Sequence, residues 1–126
     1  MKIYCGTDII EVERIKKAIL STPNFKEKIF TPAEISYAEN KSDVTKYQHY
    51  AGRFAAKEAI YKSISNVYAH VELSQIEVLN DVNNHNRPIV IIHNQEFNKL
   101  AQNVQIDVSI SHIKEYAIAY STASFL

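Results

Sequence analysis

The chain has 126 residues, and its 14 Lys and Arg balance 14 Asp and Glu, leaving no net charge at neutral pH. That length predicts one domain, residues 1–126, with a core that needs no covalent staples, and the charge balance offers no field to draw the chain to nucleic acid or an anionic membrane. A lone Cys5 excludes an internal disulfide; with no leader and no apolar run of bilayer length, the expectation is a soluble protein of the reducing cytoplasm.

Residues 2–10 are rich in β-forming side chains and predict a strand. Asp8 lies inside it, where an unpaired carboxylate is costly to bury. Two readings stay open: a strand-end residue that caps the following helix, or a hard oxygen ligand. A magnesium site uses one or two carboxylates beside substrate phosphate oxygens. Cys5 in the same strand reads as a buried structural thiol.

Val12, Ile15, Ala18 and Ile19 space a helix over residues 11–20, which stops before Pro23. Thr31-Pro32-Ala33-Glu34 is a helix start with a capping box and proline in the first turn, running to about residue 40. Ser42-Asp43 opens a longer helix through about residue 64, with Phe54, Ala55, Ala59 and Ile60 facing inward. Its alanines allow another backbone to come close.

Glu58 and Lys62 stand at i and i+4 on this helix. Such a pair is ordinarily a surface ion pair worth about 0.2–0.5 kcal/mol. Here Arg53 and Lys57 already supply cations, and the remaining faces are small and apolar, leaving a narrow polar seam. Read as chemistry, Glu58 is a second metal ligand and a candidate base, and Lys62 neutralises charge on a departing phosphate.

Beyond residue 65 the pattern turns to strands: 75–79 and 88–93 around a polar turn, a short helix over 94–102, then 106–112 and 116–122 as a terminal hairpin. Helices early and strands late predict an α+β fold with a mainly antiparallel sheet built from the N-terminus and the second half. No repeat, linker or low-complexity stretch marks a boundary.

Glycine occurs only at positions 6 and 52, which excludes glycine-rich phosphate loops. Any phosphate must be held by side chains, helix ends or a metal. Arginine occurs only at Arg14, Arg53 and Arg87, so these are candidates for forked contacts. His112 closes an alternating strand, whereas His49, His70, His85 and His93 read as structural; none has zinc-finger spacing. Ser109 and Ser111 lack a nucleophile elbow, so nothing in the sequence supports a serine hydrolase.

Taken together, five blocks resemble the holo-acyl-carrier-protein synthase family, the small trimeric class of 4′-phosphopantetheinyl transferases. They are Gly6-Thr7-Asp8-Ile9-Ile10-Glu11-Val12-Glu13-Arg14-Ile15, Phe30-Thr31-Pro32-Ala33-Glu34, and Ala51-Gly52-Arg53-Phe54-Ala55-Ala56-Lys57-Glu58-Ala59 with Lys62. Ile76-Glu77-Val78-Leu79-Asn80-Asp81 follows, and Ser109-Ile110-Ser111-His112 before Lys114-Glu115-Tyr116-Ala117 closes the set.

The resemblance implies transfer of phosphopantetheine from coenzyme A to a serine of apo acyl carrier protein, releasing adenosine 3′,5′-bisphosphate, in support of fatty acid biosynthesis. It implies Mg²⁺ at Asp8 and Glu58, with Glu58 or a metal-bound water it orients as the base. Lys62 is then expected on the leaving phosphate, and His112, Arg53, Arg87 and Pro88 on coenzyme A. Arg14, Lys17 and Phe25 become the docking surface for an acidic carrier, and the family's assembly is a homotrimer with sites between subunits.

Three positions depart from the family pattern. Residues 65–70 replace a glycine-rich turn, Asn86 replaces a glycine, and Ile113 stands where a threonine is common. The altered loop motivates an alternative, a non-catalytic homologue that binds carrier or nucleotide without turnover. A metal-dependent diphosphatase is a further alternative, though no acidic helix of the Nudix type is present.

Overall fold

The computed structural model describes residues 1–126. Five strands run Lys2–Glu11 (β1), Ile76–Asp81 (β2), Arg87–Ile92 (β3), Val104–His112 (β4) and Tyr116–Phe125 (β5). Five helices span Val12–Ser21 (α1), Phe25–Ile29 (α2), Pro32–Glu39 (α3), Asp43–Ile64 (α4) and Gln95–Leu100 (α5). One sheet has the order β1-β5-β4 and a second pairs β2 with β3; every pairing is antiparallel. The α+β expectation holds.

Alternation along β1 sets the architecture. Tyr4, Gly6, Asp8 and Ile10 face inward, while Ile3, Cys5, Thr7 and Ile9 face outward and are exposed. Strand β5 repeats the rule, burying Ala117, Ala119, Ser121 and Ala123. These small residues admit α4, whose 22 residues make a rod about 33 Å long. A Cβ built on Gly6 would lie 2.1 Å from the Ala59 carbonyl oxygen, so only glycine lets β1 meet the helix this closely. The close backbone approach expected from the alanines is therefore present.

One apolar cluster joins Ala55, Ala59, Ile60 and Ile64 to Ile76, Val78, Phe97 and Ala119. A second gathers Val12, Ile15, Phe30, Ala38, Tyr50 and Ala51 around the first half of α4. The capping box at Thr31 is formed: its side chain accepts from the Glu34 N–H, and the Thr31 N–H donates to Glu34 Oε1 at 2.8 Å.

One local reading, the buried Cys5, needs correction, and two further features lie outside the sequence expectations. Residues after Pro23 form a short helix, α2, where Phe25 stacks on Phe54 with centroids 6.4 Å apart; a five-residue helix is too short to carry a period. Cys5 is exposed because its outward face has no layer over it. Lys57 does not join a surface seam. It is fully buried, with Nζ 2.7 Å from Glu34 Oε1 and donating to the carbonyls of Leu73 and Ile76.

Candidate active site

The inward alternation of β1 delivers Asp8 to the flank of α4, where Glu58 and Lys62 stand one turn apart. Lys62 Nζ lies 3.5 Å from Asp8 Oδ1 and donates to the Thr7 carbonyl at 2.9 Å. Asp8 Oδ2 is buried and has no hydrogen-bond partner. A buried carboxylate oxygen left so is costly, and the arrangement leaves room in its bonding for a cation.

Glu58 completes the group. Its carboxyl is pushed above the ordinary carboxylate range, first by burial and then by the negative charge of Asp8, with Lys62 pulling the other way. Two carboxyl groups against one ammonium leave the cluster short of positive charge. Only two carboxylates meet here, and no group of three or more acidic, histidine or cysteine side chains exists. That donor set fits a hard divalent ion completed by water and substrate phosphate oxygens, and does not fit a structural zinc or a full calcium cage.

Two cavities open along α4, and one of them adjoins the cluster. Beside Glu58, one of about 360 Å³ is lined by Tyr61, Ala69, His70, Glu72 and Leu73. The other, about 220 Å³, opens where α4 meets the ends of β2, β3 and β4, and is lined by His49, Arg53, Asn80, Asn86, Pro88 and His112 among others. Inward alternation along β4 carries Val108 and Ile110 to the helix and leaves His112 at its mouth, with Ser109 and Ser111 on the outer face.

The sequence-predicted residues thus fall into three places. Asp8, Glu58 and Lys62 converge. Arg53, Pro88 and His112 share the smaller cavity, and Arg87 lies beside it, exposed, along a groove with Asp107 and Ser109. Arg53 is buried: it donates to Asn80 Oδ1 and sits 5.7 Å from the Tyr37 ring centroid. Arg14 and Lys17 are exposed on α1, away from both cavities, while Phe25 is half-buried.

His49 and His70, both read as structural from the sequence, line the smaller and the larger cavity respectively, and the larger also takes Glu72, which no sequence reading singled out. His49 sits one turn before Arg53, a spacing visible in the sequence. Nothing local signalled His70 or Glu72, which the turn after α4 folds back toward Glu58.

A family model described as the 4′-phosphopantetheinyl transferase superfamily matches residues 4–121. The holo-[acyl-carrier-protein] synthase of Ruminiclostridium cellulolyticum is 42% identical, covering 98% of this chain and 93% of its own length. That of Clostridium tetani is 40% identical over 96% and 94%. Among solved structures, a Chronobacterium ammoniagenes ACPS–CoA complex superposes with a TM-score of 0.85 at 25% identity, covering 100% of this chain and 99% of that one. The Bacillus anthracis holo-(acyl-carrier-protein) synthase in complex with CoA (3′,5′-ADP) gives 0.80 at 33% identity, covering 98% and 96%.

Proposed function

Because the chain belongs to the 4′-phosphopantetheinyl transferase superfamily, we propose that Asp8 and Glu58 hold Mg²⁺ for its reaction, the transfer of 4′-phosphopantetheine from coenzyme A to a serine of apo acyl carrier protein. The observation that carries this reading is the unpartnered, buried Asp8 Oδ2 beside a Glu58 carboxyl whose proton affinity is raised, first by burial and then by the charge of Asp8. When bound, the ion supplies charge neutralisation at the pyrophosphate.

The remaining chemistry belongs to the side chains. Glu58 takes the serine proton, a task its raised proton affinity suits. The serine oxygen bonds to the phosphorus that carries the pantetheine arm, and the bond from that phosphorus to the bridging oxygen breaks. The electron pair stays on adenosine 3′,5′-bisphosphate. Lys62, anchored by Asp8 and the Thr7 carbonyl, turns its remaining N–H toward that leaving phosphate. His112, Arg53, Arg87 and Pro88 contact the coenzyme, and the exposed Arg14 and Lys17, with Phe25, orient an acidic carrier.

Residues 1–126 act as one domain in this reading, since α4 contributes to both apolar clusters. The chain works as a homotrimer with its sites between subunits. Support comes from the uncovered outer face of the β1-β5-β4 sheet, where Ile3, Ile9, Tyr116, Ile118 and Tyr120 are all exposed. No helix is long and apolar enough to cross a membrane, and the free Cys5 suits the reducing cytoplasm.

The test is incubation with apo acyl carrier protein, coenzyme A and Mg²⁺, followed by mass spectrometry of the carrier. A phosphopantetheine-sized gain that disappears on chelation supports the reading. Coenzyme A cleaved without carrier modification would mark a hydrolase, and binding without either product a silent homologue.

A further inference from the structure

Asp8 reaches Glu58 because of the residue two positions before it. Gly6 and Asp8 face inward on the same side of β1, and Gly6 meets α4 at Ala59 and Lys62. The glycine is needed for space and not for its backbone. No glycine in the chain has a positive φ, so alanine could adopt the same conformation.

The methyl group that Gly6 lacks would lie 2.1 Å from the Ala59 carbonyl oxygen and 2.8 Å from Lys62 Cβ. Both are fixed points: one is a helix carbonyl, the other the first atom of its side chain. Ordinary contact begins near 3.5 Å, so alanine here would part strand from helix by about 1 Å.

Neither element can absorb that parting locally. Strand β1 pairs with β5 at every position from Lys2–Phe125 to Glu11–Tyr116, so it moves as a ladder. Helix α4 is locked in one cluster with Ile76, Val78 and Phe97, and by Lys57 on Glu34 at 2.7 Å. The Asp8 carboxyl is not free to swing after the helix either. Its Oδ1 is tied to Lys62, which also donates to the Thr7 carbonyl. A shift at Gly6 is therefore passed to the gap between Asp8 and Glu58, the residue before Ala59.

That gap bears on ion size. Mg²⁺ takes oxygens at about 2.0–2.1 Å in near-ideal octahedral geometry, whereas Ca²⁺ takes them at about 2.3–2.6 Å in a flexible shell. Across two carboxylates the difference amounts to at most about 1 Å. A methyl group at position 6 would impose a parting of the same size.

We propose that Gly6 is a positioning residue that sets the size of divalent cation accepted between Asp8 and Glu58. By admitting α4 to backbone contact with β1, it holds the two carboxyls at a spacing for a small ion and against a larger one. Having no side chain, it contributes no ligand and acts through Asp8. The inference rests on the cation reading given above.

Titration calorimetry of the intact protein with Mg²⁺, and separately with Ca²⁺, tests this without turnover. Gly6→Ala is expected to shift the ratio of the two affinities toward Ca²⁺ by about fivefold or more, through loss of Mg²⁺ binding. A purely structural glycine would lower the melting temperature and leave the ratio unmoved in the folded protein; that result overturns the proposal. Adding Asp8→Glu to Gly6→Ala lengthens the carboxylate arm by one methylene and is expected to recover Mg²⁺ affinity to within about threefold of the native chain. Further loss, as two independent defects would give, counts against it.

Should Gly6→Ala fail to fold, Asp8→Glu in the native chain decides. Filling the gap from the strand side is expected to move the ratio the other way, toward Mg²⁺, and an unchanged ratio or a move toward Ca²⁺ overturns the assignment. Asp8→Asn separates this inference from the reading beneath it. If both affinities survive that change, no cation sits at Asp8 and both fail. If they vanish while Gly6→Ala leaves the ratio unmoved, only the role of Gly6 fails.

Discussion

Helix α4 holds two carboxylate–ammonium groupings, and they are built to opposite specifications. Glu34 and Lys57 are both wholly buried, and the pair is saturated. Glu34 Oε1 takes the Lys57 ammonium and the Thr31 N–H, and Oε2 takes the Val78 N–H at 2.8 Å. Lys57 spends its remaining protons on backbone carbonyls. On a different face of the same helix, Asp8, Glu58 and Lys62 are partly open and deficient: one oxygen has no partner, and two carboxyl groups share one ammonium. A satisfied pair ties α3, α4 and β2 together, whereas a deficient one invites a ligand.

Substitution should separate the two groupings. The largest effect is expected at Glu58→Gln, which removes the proposed base and a metal ligand; turnover should fall at least ~10²–10⁴-fold, while relief from Asp8 leaves the melting temperature unchanged or raised. Near-normal rates would take Glu58 out of the mechanism. Lys57→Met should do the reverse, costing about 3–5 kcal/mol in denaturant titration by stranding the Glu34 charge. Each molecule that remains folded should still turn over. Adding Glu34→Leu should recover only part of the loss, because the Thr31 and Val78 N–H groups then lose their acceptor.

Protons sharpen the contrast. The folded state holds the Glu58 proton more tightly than the unfolded chain does, so without metal this group's contribution to stability is lost as pH rises through the interval between the two pKa values. Mg²⁺ favours both carboxylates ionised and opposes that loss. Calorimetry should therefore show Mg²⁺ raising the melting temperature more at pH 8 than at pH 5, and Asp8→Asn should remove the difference. The smallest effect is expected at Arg14→Ala, on an exposed face: carrier affinity should fall by up to about fivefold, and coenzyme A affinity should fall less. Equal losses would contradict a docking role for α1.

Much of this molecule is legible in local pattern. The capping box at Thr31 and the Ser42 cap start α3 and α4 where expected, because capping depends on residues within one turn. The late strands and the hairpin around 113–115 follow from period-two alternation, with boundaries shifted by one to three residues where pairing with β1 extends β5 to Phe125. Asp8, Glu58, Lys62 and His112 stood out as polar groups misplaced in apolar periods.

By itself the sequence determined which residues are helical or extended and which polar side chains the apolar pattern does not explain, since both depend on neighbours a few positions away. Only the tertiary structure decided their partners. Lys57 and Glu58 are adjacent on one helix, yet a rotation of about 100° between them sends one to a buried carboxylate 23 positions earlier and the other to Asp8, 50 positions earlier on β1. His49 likewise meets His112 only because the end of β4 reaches α4. Burial and charge pairing are set by whichever elements close around a side chain, and periodicity along one segment carries no record of those.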